Sequence, residues 1–250
     1  MSKRTGRVHY FHADANALGG HVERPFRENI PSQASLSLPP VGGFDSAHTE
    51  NFRLHEILSA RSARSQVAGS VNPETGTPTT MSTSVVEDLN VLHILKADRV
   101  VGQISAEHPR DGFDPKVSFL GTQIENLRIG GQLVDVILDV DIFDHGKNGK
   151  FPKQPCVKDD GFLKKIGQRY DDKRGFILCS LVKDIKGKFP GSFDGKNVLD
   201  IPELGRVHLA ELLVHRTSYQ LIMMRLELGC PTQASVSVAV DKVNGTGGGP

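Results

Sequence analysis

The chain repeats itself, and the repeat decides what it can fold into. Glu50-Asn51-Phe52-Arg53-Leu54 returns 37 residues later as Glu87-Asp88-Leu89-Asn90-Val91. At the same offset Ile57-Leu58-Ser59-Ala60 returns as Ile94-Leu95-Lys96-Ala97, and Gln66-Val67-Ala68 as Gln103-Ile104-Ser105. A third copy opens 38 residues after the second, at Glu125-Asn126-Leu127-Arg128-Ile129. A fixed period means that one supersecondary unit is used several times.

Leu89, Leu92 and Leu95 recur at helical spacing, but the other copies exclude a helix. The first carries Ser59 and Ser62, and the third places Gly130-Gly131 where a helix has to continue. Each such glycine costs a helix roughly 1 kcal/mol. Val100, Gly102, Ile104 and Ala106 then alternate with Arg99, Val101, Gln103 and Ser105, the period of a strand. The units 44–71, 80–108 and 116–138 therefore read as strand, tight turn, strand. The continuous apolar run over 133–138 predicts a strand buried on both faces. The expected fold is all-β and mostly antiparallel, a sandwich or irregular barrel built on repeated β-hairpin units.

The flanks extend this pattern. Strands are expected over 8–18, ended by Gly19-Gly20, and over 34–38, 176–185 and 234–240, with a hairpin of 205–214 and 220–228. Residues 145–175 form a basic insertion, with nine Lys or Arg against four Asp from 146 to 175. It predicts one short helix over 161–170, capped by Asp160. The whole reads as a single domain over 1–250, with a flexible start at 1–7 and a linker-like tail at 244–250.

Composition removes several functions. The 30 Lys and Arg are balanced by 29 Asp and Glu, without the basic excess of a nucleic-acid binder. Trp is absent and aromatics are 6%, too few for a base-stacking platform. Cys156, Cys179 and Cys230 form no C-x-x-C pair and read as reduced thiols. No apolar run is long enough for a membrane span. The basic start lacks the apolar stretch of a secretory signal, which predicts a protein that is cytoplasmic or exported without a classical signal.

Two clusters could carry chemistry. His9, His12 and Asp14 are metal-ligand types close in sequence, with His12 and Asp14 on one face of an extended chain. Asp139, Asp141 and Asp144 loosely resemble a calcium-binding loop, although Phe143 takes a ligand position and Asp144 the required glycine. No G-x-S-x-G or phosphate loop is present. The leading expectation is a non-enzymatic structural or binding module without a cofactor, whose partner is itself or another protein. The alternative is a metal-dependent enzyme using His9, His12 and Asp14. Arg61, Arg64, Lys96 and Arg99 are expected at sheet edges, blocking them or reaching a second subunit.

Phe11-His12-Ala13-Asp14-Ala15, the run from Ser84 to Leu92, Lys96-Ala97-Asp98-Arg99-Val100, Val117-Ser118-Phe119 and Gly205-Arg206-Val207-His208-Leu209 together resemble the domains called choice-of-anchor P. These are β-rich modules of bacterial surface proteins. The resemblance covers about two thirds of the chain. It implies a β-rich fold and an extracellular surface location, and it brings no catalytic residues.

Overall fold

The structure, a computed structural model, describes residues 9–109, 114–143, 151–152, 154–167 and 175–244. The expected flexible start, Asp144, much of the basic insertion and residues 245–250 lie outside these. In chain order the strands are β1 (Ala13–Arg24), β2 (Glu28–Gln33), β3 (Leu36–Ser37), β4 (Gly43–Leu54), β5 (Leu58–Val71), β6 (Pro78–Val91) and β7 (Leu95–Glu107). Then come β8 (Lys116–Ser118), β9 (Gln123–Glu125), β10 (Leu127–Ile129) and β11 (Gln132–Leu138). A 3-10 turn (Cys156–Lys158) and α1 (Asp160–Lys165) precede β12 (Phe176–Ser180), β13 (Val182–Lys186), β14 (Ser192–Phe193) and β15 (Val198–Ile201). The chain closes with β16 (Gly205–His215), β17 (Ser218–Leu228) and β18 (Gln233–Asn244).

These strands make two open antiparallel sheets of nine strands each, facing one another as a sandwich. The first runs β14-β15-β16-β17-β18-β1-β2, with β12 also on β16 and β3 on β1. The second runs β13-β11-β10-β7-β6-β5-β4, with β8 and β9 on β7.

The repeat is the second sheet. Its copies are the hairpins β4–β5 and β6–β7 and the pair β10–β11, side by side. Leu89 and Leu127 are fully buried and Phe52 packs against the same core. Each turn tip holds the next: the Leu92 N–H donates to Ile57 O at 2.9 Å, and the Gly130 N–H to Ile94 O at 2.8 Å. The Asn or Asp of each copy has a left-handed backbone, with φ of 54° at Asn51, 52° at Asp88 and 51° at Asn126. These residue types tolerate that conformation best after glycine. The resulting kink makes side-chain alternation skip one position. In β6 the buried set is Thr80, Ser82, Ser84 and Val86, then Leu89 and Val91. The first sheet has the same crease, at Ala210 (φ 46°) and Ala239 (φ 49°).

Several sequence expectations are corrected. Gly19-Gly20 do not end β1. At Gly20 a side chain would sit 2.1 Å from Ser235 O, so the glycine marks close approach to β18 rather than a turn. The run over 133–138 is buried on one face only, and Leu133 is 56% exposed. The expected strand over 176–185 is two strands in different sheets, split at Leu181. There the Leu181 N–H donates to Ala210 O at 2.9 Å, and Leu181 O accepts from the Asp139 N–H at 2.6 Å. The helix is capped by Asp159, whose Oδ1 accepts from the Phe162 N–H at 3.0 Å, and not by Asp160. Asn244 belongs to β18 and not to a tail. Arg61, Arg64, Lys96 and Arg99 sit on the interior strands β5 and β7; β4, β8, β9 and β13 are the strands paired on one side only. Arg61 pairs with Glu87 and Asp88, and Arg99 with Glu125, all within the sheet.

The two sheets are not evenly spaced. Cα atoms of β18 come within 8 Å of β6 and β7, and those of β1 within 8 Å of β5 and β6. Facing sheets ordinarily stack at about 10 Å. Small residues allow the approach: Ala15, Ala17 and Ala239 on one side, Ala63, Ser82, Ser84 and Gly102 on the other. Toward α1 the filling is aromatic. Phe143 packs on Phe119, Phe162 and Tyr219, with centroid distances of 5.6, 4.8 and 5.7 Å.

Candidate functional site

At this aromatic end the sheets leave a cleft of about 390 Å³. That is the size range of small-ligand sites, about 300–1,000 Å³. The first sheet contributes Leu178, Cys179 and Ser180 of β12, Glu211 of β16 and the loop residues Gly195, Lys196 and Asn197. The second contributes Asp139 beyond β11 and Val182 and Lys183 of β13, and α1 adds Lys165 and its C-terminal Ile166 and Gly167. The crossing at Leu181 brings the walls together, because the chain passes there from one sheet to the other.

Most polar groups of the cleft are already engaged. Lys165 Nζ lies 2.6 Å from Asp139 Oδ2 and 3.4 Å from Ile142 O. Arg225 clamps Glu211 through two bonds, Nε to Oε2 at 2.7 Å and Nη2 to Oε1 at 2.9 Å. Ser180 Oγ donates to Leu209 O at 2.9 Å and accepts from the Val182 N–H at 3.0 Å. Asn197 Nδ2 donates to Leu209 O at 3.2 Å. Burial pushes the Cys179 thiol up to about 12, so it is neutral at physiological pH and a poor nucleophile. Lys183 and Lys196, one from each sheet, make no close ion pair among the described residues, although the Asp194 carboxylate interacts electrostatically with Lys196.

The sequence-derived clusters are divided. His12 Nε2 lies 3.1 Å from Asp14 Oδ2, and Asp14 also accepts from Ser37 Oγ at 2.6 Å. His9 does not join them. Its ring lies 4.5 Å from that of His108 and 4.8 Å from Phe11, and burial lowers its pKa. Burial likewise holds His108 down at about 4. Among the described residues no three His, Cys, Asp or Glu are grouped to hold a metal ion. Asp139 lines the cleft but is matched by Lys165, Asp141 is exposed, and Asp144 lies outside the described residues. Cys156, deep in the aromatic packing, has its thiol 3.2 Å from the Tyr219 hydroxyl and is pushed up to about 11 by burial.

A second polar cluster lies between the sheets where they are closest. Asp241 is completely buried. Its Oδ1 is 2.6 Å from Ser82 Oγ and 3.0 Å from Ser84 Oγ, while Oδ2 has no partner. Ser82 Oγ also reaches Asp14 O at 2.8 Å. One hydroxyl proton cannot serve both acceptors, so a proton on Asp241 completes the network. Burial accordingly pushes this carboxyl up to about 7. The flanking Gly102 is obligatory in kind: a Cβ there would lie 2.3 Å from Asp241 Oδ2.

Fold and site together define an open all-β sandwich, clamped along one side and cleft along the other. By sequence the chain belongs to the family described as "Domain of unknown function (DUF8256)", which matches residues 9–174 and 164–215. No curated protein and no solved structure matches the chain. No helix among the described residues is long and apolar enough to cross a membrane.

Proposed function

We propose that this protein is a non-enzymatic binding module, whose clamped sheets form a rigid frame and whose cleft receives a small ligand. The observation that carries this reading is a concavity walled by both sheets and α1, with Lys183 and Lys196 among its lining residues. Pre-formed sites on rigid elements bind without a large ordering cost. The resemblance to surface β-modules of bacteria agrees with a binding role. The test is a small-molecule panel read by ligand-observed NMR against the wild type and a cleft-filling Leu178→Trp variant. Leu178 is 45% exposed, so the fold tolerates the change. Compounds that bind the wild type and are lost from the variant support the reading. Compounds retained equally by both, or no binder at all, overturn it.

A second reading, self-association, rests on β4. This 12-residue strand is exposed along most of its length and pairs only with β5. A free edge of that length invites a further strand, although Asp45, Glu50 and Arg53 are charges of the kind that guard edges. Light scattering over micromolar concentrations decides: a concentration-dependent dimer lost on Thr49→Pro supports it, and a strict monomer ends it.

A further inference from the structure

We infer that the cleft selects an organic anion, a carboxylate on a short apolar stem; this rests on the binding reading above. Charge matching within the cleft carries the inference. Both lining carboxylates are neutralised by partners of their own, Asp139 by Lys165 at 2.6 Å and Glu211 by Arg225 at 2.7 and 2.9 Å. Among the described residues an entering cation therefore meets no unmatched lining carboxylate. The cations left to meet an entering anion are Lys183, which makes no ion pair among the described residues, and Lys196, whose charge is shared with Asp194.

Neutral polar ligands are poorly served by the same walls. The Ser180 hydroxyl is used both as donor and acceptor, and the Asn197 amide nitrogen is bound to Leu209 O. The backbone N–H groups of Lys196, Asn197 and Val198 all point at Asp194 Oδ1, at 2.8, 2.9 and 2.9 Å, so these three are not available to a ligand. A carbohydrate, which needs many hydrogen bonds, is disfavoured on that ground. Ile142, Ile166, Leu178 and Val182 add aliphatic surface to the described lining. An apolar stem laid along it leaves the water that otherwise covers the exposed Leu178, while its head stays at the lysines.

Three probes of one shape separate the terms: hexanoate, hexanol and hexylammonium, each titrated into the full chain and followed by amide chemical shifts. Hexanoate is expected to bind, to shift residues 178–183 and 195–197, and to weaken as salt is raised. Lys183→Gln and Lys196→Gln each weaken it by about tenfold, the scale of one charge-assisted hydrogen bond. Both lysines are exposed, so these variants fold. If hexanol or hexylammonium binds in the cleft at least as well as hexanoate, anion selectivity is wrong while the binding reading stands. If none of the three shifts cleft residues in the wild type, this inference is overturned, and the panel against Leu178→Trp then judges the cleft separately.

Discussion

The two sides of the sandwich use opposite means to fill the space between the same two sheets. On the clamped side small residues and one buried acid draw backbones to within 8 Å, with Gly102 leaving room for the Asp241 carboxyl. On the cleft side, Phe119, Phe143, Phe162 and Tyr219 pack together near α1, beside the cleft. Small residues let the two backbones approach, so the sheets pack closely there. The bulky ones lie beside concave surface. The stiff side thus supports the open side, the arrangement expected where a site is carried by a scaffold.

The largest way to break this comparison is through Asp241. Its folded pKa, about 7, lies above its ordinary 3.8, so the folded state holds the proton more tightly. The stabilisation is fully present below about pH 4 and is lost as pH rises through about 7, a change on the order of 4 kcal/mol. Urea unfolding across that range should show the wild type losing stability toward high pH. Asp241→Asn, which cannot ionise, should lack this component; parallel curves for both proteins would exclude a buried proton at the clamp.

A smaller effect is expected at the glycine opposite. Gly102→Ala places a methyl group on the Asp241 carboxyl and should cost about 1–3 kcal/mol by overpacking. Pairing it with Asp241→Ala should recover part of that loss, which thermal unfolding of the double variant measures. Smaller again is Asp159→Ala, which removes the cap of α1 for about 0.5–2 kcal/mol. Its effect should stay local, loosening α1 and weakening cleft binding with little change in the unfolding midpoint. A full drop in global stability from this change would mean that the cleft side belongs to the frame.

What could be read from sequence followed the same division. The hairpin repeat was legible because turn and strand chemistry are local: Asn51, Asp88 and Asn126 recur at one place in the unit, before Phe52, Leu89 and Leu127. The creases were not, because a skipped alternation imitates helical spacing, as Leu89, Leu92 and Leu95 do. In the first sheet the crease falls on Ala210 and Ala239, which announce nothing. Lys165, Lys183, Lys196 and Glu211 come together only through the crossing at Leu181, and no sequence spacing encodes that meeting. Of the described residues marked as candidates, only Asp139 lines the cleft. Asp241 gave no signal either: plain alternation from Ala234, Val236 and Val238 puts it in the exposed phase, and only the crease at Ala239 turns it inward.

Native-state hydrogen exchange tests the division into frame and site most directly. Amides of β6, β7, β17 and β18 should exchange only with global unfolding, and those of α1, β12 and β13 through smaller openings of lower free energy. Equal opening energies on both sides would contradict the account, because the cleft side would then be as fixed as the clamp.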